Sequence, residues 1–408
     1  MTTVLQKINL NNLDKSSWES FRFEDITTRV VEGVDPNTTT LEKYVGLEHI
    51  DAENIHIKRF GSPDDVSGGK LKCYPGDVIF GKRRAYQRKS AIVDFEGICS
   101  AHAFVFRANP EVIDPKLFPF FLHSDQFMHR AVDISVGGLS PTINWGDLKG
   151  QEFLLPPKAE QARLAELLWA IDEVIEKEKE VLERLDNTYT TAINQTMIHG
   201  NYNHNGKIIL TKCGLLDSRI ELMLLKECLV EKPTYGANAS SKAYEKDTPR
   251  YIRITDIDDE GNLIRDDIVS IDSDDYQNYN LKHNDFLFAR TGNTVGKTLL
   301  YDSQMGDSVY AGYLIRFRLN QKKILPKFLF YFTKSLKYES FKRKMTKVGA
   351  QPNINSEEYQ LMVLPKLPIE EQADIVEKLD AMKLRNNFVK SKIAASQSLQ
   401  KSLINQIF

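Results

Sequence analysis

The feature that most limits what this chain can fold into is an internal duplication. Residues 44–50, YVGLEHI, align with residues 251–257, YIRITDI. PGDVIFGK at 75–82 aligns with HNDFLFAR at 283–290, FVFRAN at 104–109 with IRFRLN at 315–320, and PKLFPFF at 115–121 with PKFLFYF at 326–332. VGGLSPTIN at 136–144 aligns with VGAQPNIN at 348–355 after one deletion, and PKAEQA at 157–162 with PIEEQA at 368–373. The matches keep their order while the offset drifts only from 207 to 212. The repeating unit is therefore a whole domain, not a short solenoid turn.

Each half lays out the same elements. Short runs rich in β-branched and aromatic residues, such as GDVIF and AHAFVFR, are bounded by Gly, Asp and Asn and predict strands. A helix is expected to open at Pro115 and again at Pro326, because proline suits a first helical turn. Each half then ends in a long segment without proline or glycine. Alternating steps of four and three from Leu164 reach Leu168, Ile171, Ile175, Glu178, Leu182, Leu185, Tyr189, Ala192 and Thr196, with eight of the ten positions apolar. The matching steps from Ile375 reach Leu379, Met382, Asn386, Val389, Ile393, Ser396, Gln400, Leu403 and Ile407, with seven apolar. So narrow a stripe is a coiled-coil seam, and two such helices of roughly 60 Å most simply bury it against each other. The intervening charges, as in EKEKEVLERLD, read as solvated faces, and Asn386 as a register-setting polar residue within the seam.

Bulk properties exclude several classes. A chain of 408 residues implies two domains. The 54 Lys and Arg nearly cancel the 56 Asp and Glu, so any nucleic-acid surface must be local. The start, MTTVLQKINL, lacks a secretory pattern, and the richest apolar run, LFPFFL, is far too short to span a bilayer. Cys73, Cys99, Cys213 and Cys228 show no CxxC spacing and the eight histidines no metal-ligand spacing. A reduced cytoplasmic protein with no metal site, no membrane partner and no cofactor of its own is the expectation. There is no Asn-Pro-Pro-[Tyr/Phe] motif for amino methylation, no Gly-x-Gly adenosylmethionine loop and no nuclease carboxylate-lysine cluster; Asp64, Asp65 and Lys70 read as a turn. No catalytic residue is expected.

Two repeats, each with a [GN]-D-[VF]-[IL]-F-x-[KR] strand and a Pro-x-x-Glu-Gln start to a long helix, resemble the specificity subunit of Type I restriction-modification systems over essentially the whole chain. The resemblance implies an α+β fold of two similar globular target recognition domains, residues 1–157 and 201–367. These would be separated by two long helices, 158–200 and 368–408, that form an antiparallel coiled coil, giving an internal pseudo-twofold repeat. It also implies partners: double-stranded DNA read as a split site, two modification methyltransferase subunits that would carry S-adenosylmethionine, and restriction subunits recruited through them.

The run ARTGNTVGKT at 289–298 looks like a phosphate loop, yet Gly292 and Gly296 enclose three residues where a Walker loop needs four. The duplication sets it opposite GKRRAYQRKS at 81–90, which is no phosphate loop. The two copies share a basic residue after the strand, Lys82 or Arg290, and another seven positions on, Lys89 or Lys297. Lys82, Arg83, Arg84, Arg88 and Lys89 surround Tyr86, a density suited to DNA phosphates. The second copy offers Thr291, Asn293 and Thr294 for base edges or phosphates. Lys342, Arg343, Lys344 and Lys347 form a further basic element, and the turns ending at Ser140 and Gln351 are additional DNA-contact candidates. Asn144 and Asn355 read equally as turn or cap residues, and Trp18, Trp145 and Trp169 as packing residues. The competing reading is a coiled-coil protein-interaction scaffold whose repeats bind protein instead of DNA; a self-contained nuclease or methyltransferase lacks its motifs.

Overall fold

The computed structural model describes residues 15–200, 207–211, 214–346 and 351–408. The amino-terminal stretch, Cys213 and Lys347 lie outside the described residues. The chain divides into two compact units, residues 1–180 with 390–408, and residues 181–389.

In the first unit a four-stranded antiparallel sheet runs in the order Thr27–Val30, Ala103–Ala108, Val78–Gly81, Ser90–Ile92. Its strands are apolar on both faces because both are covered. Val78, Phe80, Phe104 and Phe106 point into a phenylalanine-rich core, while Ile79, Ala103 and Val105 point into a second core beneath the sheet Gly33–Val34, Lys70–Cys73, Gly97–Cys99, Tyr44–Val45. The two-residue side-chain period thus serves two cores from one continuous apolar run. The aromatic core is closed by Leu164 and Leu168 of the first long helix, Lys158–His199, and by Leu403, Ile404, Ile407 and Phe408 at the end of the second, Ile369–Ile407. The Phe408 ring lies 5.2 Å from that of Phe121.

The second unit repeats the plan. Its first sheet runs Thr234–Tyr235, Leu314–Phe317, Phe286–Ala289, Thr298–Leu300, with Phe286, Phe288 and Phe317 facing one core and Leu287, Ala289 and Leu314 another. Here Ile193 and Met197 of the first long helix share the aromatic core with Ile375 and Leu379 of the second. The smaller sheets differ in pairing. Gly97–Cys99 sits between Lys70–Cys73 and Tyr44–Val45, whereas in the second unit Arg250–Ile252 takes the inner place, between Val269–Asp272 and Ser308–Tyr310.

The aspartates and glutamines of the motifs that recur in both halves are fasteners. Asp77 and Asp285, buried at the start of the central strand, each accept a backbone N–H, from Tyr74 and Lys282, and each take a paired contact from an arginine of the neighbouring strand. Arg107 donates to Asp77 through Nε and Nη2 at 2.7 and 2.9 Å, and Arg318 Nε to Asp285 at 2.8 Å. Gln161 and Gln372, the glutamines of the Pro-x-x-Glu-Gln motif, are equally buried. Gln161 accepts from Asp114 N and donates to Val112 O and Pro156 O; Gln372 accepts from Leu325 N and donates to Lys323 O and Leu367 O. At the other end of each helix, Asn405 caps the Asp125–Asp133 helix and Asn194 the Leu336–Met345 helix, both at 2.8 Å.

The helices are antiparallel, since partners on one descend as those on the other ascend: Asp172 with Gln400, Glu178 with Lys392, Asp186 with Asn386. Asn386 is buried in the seam and donates to Asp186 at 2.7 Å. Two expectations change. The charged stretch is not wholly solvated, because Glu176 is held by Lys58 and Lys179, and Glu178 is buried against Lys392. The helix expected at Pro115 starts at Phe118, since Pro119 has no N–H to give the Pro115 carbonyl, whereas Pro326 does open Pro326–Phe332.

Replacing Gln161 or Gln372 with Leu leaves one N–H and two carbonyls without a partner. Each variant is expected to lose about 2–4 kcal/mol of stability, read from the denaturant midpoint of the full chain.

Candidate nucleic-acid interface

In each repeat two segments distant in sequence are zipped into one surface at the end of the central strand. In the first, Ile143 N donates to Lys82 O at 2.9 Å, Arg84 N to Pro141 O at 2.7 Å, and Arg83 bridges to Thr142. In the second, Ile354 N donates to Arg290 O at 2.9 Å, Gly292 N to Pro352 O at 2.9 Å, and Thr291 bridges to Asn353. Side chains cross the same seam, Arg84 Nε to Ser140 Oγ at 3.2 Å and Arg290 Nε to Asn353 Oδ1 at 3.3 Å. Arg84 and Gly292 occupy corresponding positions and both are left-handed, with φ +57° and +67°. Glycine tolerates this freely; arginine holds it at a cost of about 1 kcal/mol, a strain of the kind found at functional sites.

The zipped loops present different chemistry. Arg83, Arg84 and Tyr86 are exposed, Lys82 and Ser140 half-buried. In the second repeat Asn293 and Gln351 are exposed, Thr291 and Thr294 half-buried, and Thr294 Oγ1 donates to Thr291 O. Arg343 and Lys344 are exposed on the Leu336–Met345 helix.

Four of the sequence-selected cations are used inside the fold. Arg88 donates to His123 O and pairs with Asp125 at 2.7 Å and Glu53 at 3.1 Å. Lys89 donates to Leu47 O, and its counterpart Lys297 to Ile257 O and Asp259, so this shared lysine is a tether between loops in both repeats. The alkyl chain of Lys342 lies where any side chain at Gly296 would stand, and its ammonium pairs with Glu339. Gly296, at φ +84°, is thus required by close packing and a left-handed backbone, which accounts for the apparent phosphate loop. Asn355 is a helix cap: it accepts from Glu358 N at 2.9 Å, and Glu358 accepts from Asn355 N. Asp64 and Asp65 lie in a short turn capped by Ser62. Among the described residues no group of His, Cys, Asp and Glu could hold a metal ion, and no helix is long and apolar enough to cross a membrane.

Sequence reasoning missed Arg29, which comes to rest over the Trp145 and Phe104 rings next to Lys82. No motif marks it, because its neighbours are set by strand register alone. Also missed was a cavity of about 390 Å³ in the first unit lined by Glu53, Arg88, His123, Asp172, Glu176 and Lys401. Its polar groups find partners in the fold: Lys401 pairs with Glu53, and Asp172 hydrogen-bonds with His56 Nε2 at 2.6 Å. Burial pushes His123 down to about 4, with Nε2 donating to Ser90 O.

A family model described as the Type I restriction modification DNA specificity domain matches residues 15–187 and again residues 227–395, and the chain belongs to that family. The Type I restriction enzyme EcoDI specificity subunit of Escherichia coli is 29% identical over 182 residues, 42% of this chain but only 39% of that one. The StySPI specificity subunit of Salmonella potsdam is 22% identical over 386 residues, 90% of this chain and 82% of its own. Among solved structures, a chain from a study of complex assembly and conformational transition of the type I R-M system superimposes with a TM-score of 0.59 at 20% identity, over 96% of both chains, which establishes a common fold.

His123 generates a pH prediction. The unfolded histidine takes up a proton near its ordinary 6.5, the folded one only near 4, so stability is fully present above about pH 6.5 and falls as pH drops towards 4. The slope is expected to approach about 1.4 kcal/mol per pH unit. His123→Asn should flatten it in denaturant titrations at pH 7, 6 and 5.

Proposed function

We propose that the chain is the non-catalytic, DNA-reading subunit of a Type I restriction-modification complex. Residues 1–157 and 201–367 each read half of a bipartite site, and helices 158–200 and 368–408 serve as the spacer on which two modification methyltransferase subunits assemble. Those subunits would bind S-adenosylmethionine and connect to restriction subunits, with the complex working on cytoplasmic DNA. The observation that carries the reading is that the same two loops are zipped together in both repeats while their exposed groups differ. A constant frame with variable contacts is what reading two unlike half-sites requires. Arg83, Arg84, Arg343 and Lys344 would supply phosphate contacts, and Tyr86, Ser140, Thr291, Asn293, Thr294 and Gln351 would meet base edges or the sugar-phosphate backbone; their exposed or half-buried positions support the assignment.

Exchange of residues 1–157 for those of a related subunit should change one half of the methylated motif and leave the other half and the gap intact, as read by methylation-sensitive sequencing of the host genome. Change in both halves refutes modular reading. Arg83→Ala with Arg84→Ala should weaken duplex binding by the assembled complex and reduce its salt dependence; salt-insensitive association would favour a protein scaffold instead.

A further inference from the structure

Three adjacent strands of the first unit bring two positive charges onto one ring. Arg29, on the edge strand Thr27–Val30, pairs in register with Phe106, so its side chain rises on the face that carries Phe104. Phe104 belongs to the central strand, opposite Phe80, and Lys82 lies two residues beyond Phe80 on the next strand, a spacing that returns it to the same face. Lys82 Nζ lies 5.2 Å and the Arg29 guanidinium 6.0 Å from the Phe104 centroid, and Arg29 is also 5.6 Å from that of Trp145. Both cations are half-buried, and neither has a carboxylate within ion-pair distance among the described residues. This sets them apart from Arg88, Arg107, Lys89 and Lys297, which are all committed to internal partners. Burial, and after it the Arg29 charge, hold the Lys82 ammonium below its ordinary value.

Two like charges held at one ring without a counter-ion, near enough for one to act on the other, leave a concentrated positive potential that a small, multiply oxygenated anion relieves. Cation–π contact with Phe104 and Trp145 holds both heads in place, so little side-chain freedom remains to be lost on binding. The second repeat has no such pair at the corresponding place among the described residues; there Lys334 and Lys383 share a different ring, Phe330, at 5.0 and 5.1 Å. Its edge strand Thr234–Tyr235 carries no arginine, and Arg290, the counterpart of Lys82, lies over the Tyr235 ring at 4.8 Å.

We infer that Arg29 and Lys82 form a phosphate clamp, mounted on Phe104, that grips a single backbone phosphate of the half-site read by the first repeat. The inference rests on the DNA-reading function proposed above and adds a residue, Arg29, and a ligand atom group to it. Phosphates carry no base identity, so the clamp fixes register on the duplex without contributing to sequence choice.

The test uses the full chain assembled with its modification subunits and duplex DNA bearing the methylated motif of the host. In R29Q/K82Q the slope of log affinity against log salt should shallow by about one, the value of one phosphate contact, while discrimination against mismatched sites stays unchanged. R29K and K82R should keep the parental slope. Phosphate-ethylation interference should lose one position in that half-site with R29Q/K82Q and keep the others. On the unsubstituted complex, DNA should shield Lys82 from acylation, a measurement that needs no variant to fold. A parental slope in R29Q/K82Q, or undiminished Lys82 acylation on DNA, overturns the clamp while leaving DNA reading intact if R83A/R84A still weakens binding. Failure of the unsubstituted complex to bind any duplex overturns the reading on which the clamp depends.

Discussion

The seam between the two long helices is the constraint on which everything else depends, because neither globular core is complete without a piece of each helix. The first aromatic core needs Leu164 and Leu168 from one helix and Ile404, Ile407 and Phe408 from the other; the second needs Ile193 and Met197 together with Ile375 and Leu379. A purely apolar antiparallel seam would tolerate sliding by a heptad at modest cost. The polar pairs Asp186–Asn386, Asp172–Gln400 and Glu178–Lys392 do not, since each has one buried member, Asn386, Asp172 or Glu178, that any slip leaves without its partner. Gln161 and Gln372 then fix each helix start to its own unit, and Asn194 and Asn405 tie the far ends to the helices they cap.

The duplication separates frame from reader with unusual clarity. The residues that recur, Asp77 and Asp285 with Arg107 and Arg318, Gln161 and Gln372, Lys89 and Lys297, all serve internal hydrogen bonds or ion pairs. The backbone zipper between the strand end and the downstream turn recurs as well, down to a left-handed residue at Arg84 and Gly292. What differs is the set of side chains that the zipper presents. These side chains can therefore change without disturbing the hydrogen bonds that hold the loops, and one repeat can diverge from the other.

Much of this was legible in the sequence. Ordered matches revealed the two units, alternation and turn residues located the central strands, and the apolar period gave both long helices and the seam position of Asn386. The differences at charged residues share one physical cause: a cation's fate is decided by groups far away in the chain. Arg88 looks like part of a phosphate-binding cluster until Glu53 and Asp125 are seen around it, and Lys89 until Leu47 O is. Arg29 shows the converse, because only strand register sets it beside Lys82. The helix start at Phe118 is a local matter, set by Pro119, which lacks the N–H that a helix opening at Pro115 would need.

Loop chemistry also sets how the two repeats divide the work. A loop dense in free cations gains affinity from every duplex, because counterion release is indifferent to sequence. A loop of hydroxyls and amides gains little until its donors and acceptors meet matching base edges, and leaves them desolvated and unpaired when they do not. On the proposed reading, Arg83, Arg84 and the Arg29–Lys82 pair would place the first repeat nearer the former limit, while Thr291, Asn293, Thr294 and Gln351 would place the second nearer the latter, with Arg343 and Lys344 as its exposed cations. With 54 cationic residues against 56 anionic ones, the chain as a whole offers DNA no long-range attraction. On that reading binding falls to these local surfaces, and a few loop substitutions would be enough to shift the balance between grip and discrimination.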